Sequence, residues 1–150
     1  MKSSSAASAS GSQPYMKEQV MSASPHQLIT LLYNGLIRFL HGVQDGFAEP
    51  DLQKRHEAIH NNTIRAQNIL TELNVSLDME RGGEIARQLK DLYDFFHVEL
   101  GRVNVTKDPS TDVSTVFRIT RMITELRETW MRISTQEQQP SSAPFATVTR

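Results

Sequence analysis

The chain has 150 residues, enough for one domain with a buried core, and no cysteine, which excludes a disulfide framework and thiol chemistry. Its formal net charge of -1 gives no global attraction to nucleic acid or anionic lipid. No run of about eighteen apolar residues is present and the start has no apolar h-region, so neither a transmembrane helix nor a signal peptide is expected, the pattern of a cytoplasmic protein.

Residues 1–14 are rich in Ser and Ala and too poor in apolar area to offset ordering entropy, so a disordered tail is expected there. A short segment, 15–23, follows. Its Tyr15, Met16, Val20 and Met21 form a small amphipathic patch ahead of the first helix. Ser24-Pro25 then reads as an N-cap with proline in the first turn. The helix it opens spans about 24–45 and breaks near Gly46 and Pro50. Leu28, Leu32, Leu36, Phe39 and Val43 make the expected core stripe. Ile29, Leu31, Tyr33, Ile37 and Leu40 widen the apolar arc to about two thirds of the circumference, well beyond an ordinary amphipathic face.

A second helix is expected over about 51–75. Leu52, Ile59, Ala66 and Leu73 recur every seventh residue, with His56, Thr63, Leu70 and Leu77 interleaved. Gly82 and Gly83 mark a turn, and Glu84 suits the positive end of the helix that follows, about 83–104. Ile85, Leu89, Leu92, Tyr93, Phe96, Leu100 and Val103 share its core face, whereas Phe95 and Val98 do not. Asp108-Pro109 through Asp112 is a loop and a fresh cap. The fourth helix, about 110–134, has a stripe of Val116, Ile119, Ile123, Leu126 and Trp130, widened by Val113, Phe117, Met122, Met131 and Ile133. Residues 136–150 return to tail composition and are expected to be disordered. Four helices of similar length with short connections predict an all-α, antiparallel up-down four-helix bundle over 15–135.

One stretch carries a catalytic pattern. His56-Glu57-Ala58-Ile59-His60 matches the His-Glu-x-x-His arrangement of zinc hydrolases, which places two ligands and a base on one helix. The extended motif needs glycine and histidine where Thr63 and Ala66 stand, and His56 falls on the inward heptad. A packed His56 and a boundary His60 are therefore expected, with no metal, no cofactor and no enzymatic activity. Arg118, Arg121, Arg127 and Arg132 are diluted by Glu125 and Glu128, so a nucleic-acid interface is not expected either. What remains is surplus apolar surface. Leu31, Tyr33, Ile37, Ile64, Phe95, Val98, Phe117 and Met122 are the expected contacts for an amphipathic segment of a partner. The alternative is a bundle that buries the same surplus in a homodimer.

The motifs resemble those of the FliS family of flagellar secretion chaperones. The likeness lies in Tyr15 to Val20, Ser22 to Pro25, Leu31 to Leu40, Arg65 to Gln67, Leu77-Asp78, Gly82 to Ala86, Leu92 to Asp94 and Glu125 to Trp130. It covers about Tyr15 to Ile133. Asn34 departs from it, standing where the family usually has aspartate. The resemblance implies a cytosolic helical bundle, a monomer or weak homodimer. Its client is the disordered C-terminal segment of flagellin, which it keeps from premature polymerisation. It implies delivery of that client to the export-gate protein FlhA, and an anti-sigma factor or other flagellar regulator as a further partner. It also implies that the segment holding Tyr15, Met16 and Val20 lies over part of the client surface when no client is bound.

Overall fold

The structure, a computed structural model, describes residues 24–135; the two tails expected to be disordered lie outside them. Four α-helices follow one another: α1 (Pro25–Phe47), α2 (Leu52–Ser76), α3 (Gly83–Thr106) and α4 (Pro109–Thr135). Local chemistry sets their ends. Ser24 accepts from the Gln27 amide while the Gln27 side chain accepts from the Ser24 amide, a reciprocal cap that satisfies two otherwise orphaned donors. Asp51 caps α2 by accepting from the Lys54 amide. Gly83 opens α3 with φ +56, the left-handed conformation that costs glycine no Cβ clash. Lys107 ends α3 in the same region, with φ 45.

The corner between α3 and α4 is organised by Asp112, which is fully buried. Its carboxylate accepts from the Thr106 hydroxyl and from the Asp108 amide, and Arg102 lies 3.8 Å away. A buried carboxylate with these partners replaces its lost hydration and pins the chain reversal.

The α1–α2 pair is the most closely packed, α1–α4 and α2–α3 less so, and α3–α4 the loosest. Small residues explain the first. A Cβ on Gly46 would lie 3.1 Å from the Ala58 Cβ and 3.2 Å from the Ile59 amide nitrogen, so α2 approaches α1 where no side chain intervenes. This approach also decides the rotation of α1. The expected stripe is turned: Ile29, Tyr33, Leu36, Ile37, Leu40 and Val43 are buried, while Leu28, Leu32 and Phe39 are only partly so. A helix apolar over most of its circumference has no unique phase in its sequence, and the glycine face supplies one.

The remaining stripes are mostly where periodicity puts them. Ile59, Ala66, Leu70 and Leu73 of α2, Tyr93, Phe96, Leu100 and Val103 of α3, and Val116, Ile119, Ile123 and Trp130 of α4 close the core. Ile85 is a correction, being 56% exposed while its neighbour Ala86 is buried. Across the end of the bundle, the His26 ring stacks on Trp130 with centroids 4.2 Å apart and 9° between planes. The Trp130 indole donates to the His26 carbonyl at 3.2 Å, tying the start of α1 to the end of α4.

The deepest polar contact joins Tyr33 of α1 to Tyr93 of α3, hydroxyl to hydroxyl at 2.5 Å. Burial pushes the Tyr33 phenol up to about 12, partly opposed by its bond to Tyr93; burial and the neighbouring Tyr33 raise Tyr93 as well. Both phenols keep their protons in the folded chain at pH values where the unfolded chain, near 10.0, has begun to lose them. Their contribution to stability is thus complete below pH 10 and declines as pH rises towards 12. Urea titrations at about pH 9 and about pH 11 should show a larger alkaline loss of stability for the wild type than for a Tyr33→Phe/Tyr93→Phe variant.

Candidate functional site

Successive helical residues are turned by about 100°, so the hydrogen bonds between helices fix which flank of each faces which neighbour. On α4, Thr120 accepts from Gln44 and Arg127 donates to Asn34, so this flank faces α1. Phe117, Thr120, Thr124, Arg127 and Met131 follow one another along it at steps of three and four. Phe117 is 55% exposed and Met131 46%. A shallow cavity of about 330 Å³ lies against it, lined by His41, Gln44, Phe117 and Thr124 among others. This groove between α1 and α4 is mixed in character, with phenylalanine and methionine set among threonines and arginines.

The opposite flank of α4 carries Met122, Leu126 and Ile133 at steps of four and seven. On α3, the bonds of Gln67 to the His97 carbonyl and of Asn74 to Asp94 identify the flank packed on α2. Lys90 also donates to Asp94 at 2.7 Å, and this bond above all holds the Asp94 carboxyl below its ordinary range. The other flank of α3, through Gln88, Leu92, Phe95, Glu99 and Arg102, is turned towards α4, as the approach of Arg102 to Asp112 shows. Leu92 and Phe95 of α3 and Met122 and Leu126 of α4 thus lie on the flanks that the two helices turn towards each other. With α3 and α4 the loosest of these pairs, Phe95 and Met122 stay exposed, while Leu92 and Leu126 are partly buried against the core.

The eight expected contact residues divide accordingly. Phe95 and Met122 are brought to facing flanks of α3 and α4. Phe117 lies on the other side of α4. Val98, 67% exposed, points outward from α3, and Ile64 and the partly buried Leu31 stand on separate faces. Tyr33 and Ile37 are corrections: at 2% and 8% exposure they belong to the core, and the Tyr33 hydroxyl is already engaged. Tyr15, Met16 and Val20 lie outside the described residues. Leu126, expected in the core stripe, is only partly buried and borders the Met122 flank of α4, because an inward stripe and its flank differ by a single position on the wheel.

The His-Glu-x-x-His stretch does not build a hydrolase site. His56 is exposed, contrary to the inward heptad, because α3 has ended before the level of His56; His60 is held against Asn104 at 3.0 Å. Among the described residues no three metal-ligating side chains converge.

The sequence matches the family model "Flagellar protein FliS" over residues 7–137. The chain belongs to the FliS family. Among its relatives, the flagellar secretion chaperone FliS of Salmonella typhimurium is 33% identical over 84% of this chain and 91% of its own length. FliSB of Pseudomonas aeruginosa is 30% identical over 81% and 90%, and FliS of Bacillus subtilis 26% over 83% and 86%. FliS proteins are flagellar export chaperones, not enzymes, in keeping with a four-helix bundle whose distinctive surface is apolar. No helix of the described residues is long and apolar enough to cross a membrane.

Neighbouring phenylalanines separate this surface from the core. Phe96 is fully buried and Phe95 is 54% exposed. Phe96→Ala should cost about 3–5 kcal/mol in urea unfolding, and Phe95→Ala no more than about 1 kcal/mol.

Proposed function

We propose that this FliS chaperone acts in the cytosol and holds the disordered C-terminal segment of flagellin along both flanks of α4, preventing premature polymerisation and presenting the subunit to the export-gate protein FlhA. The observation that carries this reading is the apolar surface on both sides of one helix: Leu92, Phe95, Met122 and Leu126 towards α3, and Phe117 and Met131 towards α1. A partner helix or extended chain that fills such grooves removes this surface from water.

Energetics favour a flexible client. A segment that orders on binding gives up about 2–5 kcal/mol of the gross interaction. Two grooves separated by the width of a helix allow it to wrap and so to recover more than one face could supply. Methionine suits such a surface because its unbranched thioether adapts to different apolar neighbours.

Calorimetry with a peptide of the C-terminal segment of the same organism's flagellin tests the reading. Phe95→Asp and Phe117→Asp should each weaken binding by tenfold or more, on the order of the 1.5–3 kcal/mol of one buried apolar side chain, with an unchanged circular dichroism spectrum. Unchanged affinity for both variants would remove α4 from the client site.

A second element of the same reading is that Tyr15, Met16 and Val20 compete with the client for a groove. The His26–Trp130 stack supports it, since it places Ser24, where the N-terminal segment joins α1, beside the end of α4. Deleting residues 1–21 should raise client affinity. Equal or weaker binding by the truncated chain would count against competition.

A further inference from the structure

In the groove between α1 and α4 lies a guanidinium whose hydrogen bonding is incomplete. One terminal nitrogen of Arg127 donates to the Asn34 side-chain oxygen at 3.0 Å, a neutral acceptor. The other lies 3.8 Å from a Glu128 oxygen, beyond hydrogen-bond reach. The Arg127 Nε is buried and has no acceptor. Guanidinium keeps its charge at any physiological pH and presents its donors in a rigid fork, so an incoming acceptor would relieve a cost already incurred.

Two shallow cavities meet at this point, of about 680 and about 480 Å³, and Asn34 and Arg127 line both. The charged groups around them are Arg38 and Asp45 in the first and Glu128 and Arg132 in the second, with His41 also lining the first. Arg38 lies over the Phe39 ring at 5.1 Å from its centroid and makes no ion pair among the described residues. Arg127 and Arg38 thus place two guanidinium groups at one spot on a chain of net charge -1.

We propose that Arg127, with Arg38 beside it, forms a carboxylate-binding subsite, filled by an Asp or Glu side chain of the client segment. The proposal rests on the client reading above and adds to it a polar reading point within an apolar groove. A side chain suits it better than a chain end. The groove runs on past Phe117 in one direction and Met131 in the other, so a segment lying in it passes Arg127 instead of stopping there.

Asn34→Asp is the decisive variant. It is isosteric, keeps the contact to Arg127 and places a carboxylate where it competes with that of the client. The measurement is calorimetry of the full-length chain with the C-terminal flagellin peptide of the same organism and with a copy whose Asp and Glu are replaced by Asn and Gln. The wild type should bind the acidic peptide about tenfold more tightly than the neutral one, the scale of one charge-assisted hydrogen bond. Asn34→Asp and Arg127→Gln should bring the two within about twofold, and added salt should shrink the preference.

Equal binding of both peptides by the wild type overturns the subsite alone, as does a preference that Asn34→Asp leaves intact or a native segment with no acidic residue. A preference abolished by amidating the peptide's C-terminus overturns the assignment to a side chain. Failure of the wild type to bind either peptide overturns the client reading and the subsite with it.

Discussion

The close approach of α1 and α2 governs the architecture. Where Gly46 meets Ala58 and Ile59, the two backbones come together with almost nothing between them. That contact turns the bulky face of α1 inward, so Tyr33, Leu36 and Leu40 enter the core instead of the surface. It also makes α1 the helix on which the others depend, packed tightly by α2 on one side and by α4 on another. The bundle is therefore uneven. Its interior is sealed around α1, and the looseness that remains is confined to the far side, between α3 and α4.

That unevenness leaves both flanks of α4 apolar. Its inward stripe of Val116, Ile119, Ile123 and Trp130 is sufficient to hold it, and the His26–Trp130 stack fastens its end. The flanks on either side are left apolar without being needed for packing. A surface of this kind is costly to expose, and its occurrence on both sides of one element is what an export chaperone of this family would use.

Much of this was legible in the chain itself, for stateable reasons. α2 and α3 carry stripes narrow enough to define a face, and even on the broader α4 most of the expected stripe is buried. The exceptions occur at helix ends. Leu52 and His56 continue the α2 heptad but no helix packs over them, since α3 stops at Thr106 and the chain turns into α4. The phase of α1 was not legible, because its apolar residues surround it and only a contact with the following helix, Gly46 against Ala58 and Ile59, selects among them. The burial of Tyr33 is hidden for the same reason. A tyrosine beside surplus leucines looks like a contact residue until its hydroxyl is seen to meet Tyr93, sixty residues on. Within the candidate site, Phe95 was distinguishable from Phe96 by spacing alone. The division of the surface into two grooves was not, since it depends on which helix faces each flank of α4.

On the proposed client reading, the two flanks of α4 differ in a way that bears on release as well as capture. The furrow towards α3 is lined by leucine, phenylalanine and methionine, whose attraction is non-directional and grows with the area covered. It can hold a segment without discriminating closely among sequences. The groove towards α1 interleaves Phe117 and Met131 with Thr120, Thr124, Gln44 and Arg127, and polar groups of this kind favour a matching partner chiefly by penalising one that leaves them unpaired. A client spread over both would draw most of its affinity from the first and its register from the second. Because neither groove is deep, the segment can leave piecewise, with each part it vacates re-solvated as it goes. A chaperone that must surrender its cargo needs that property, and a single enclosed pocket of the same total area would not provide it.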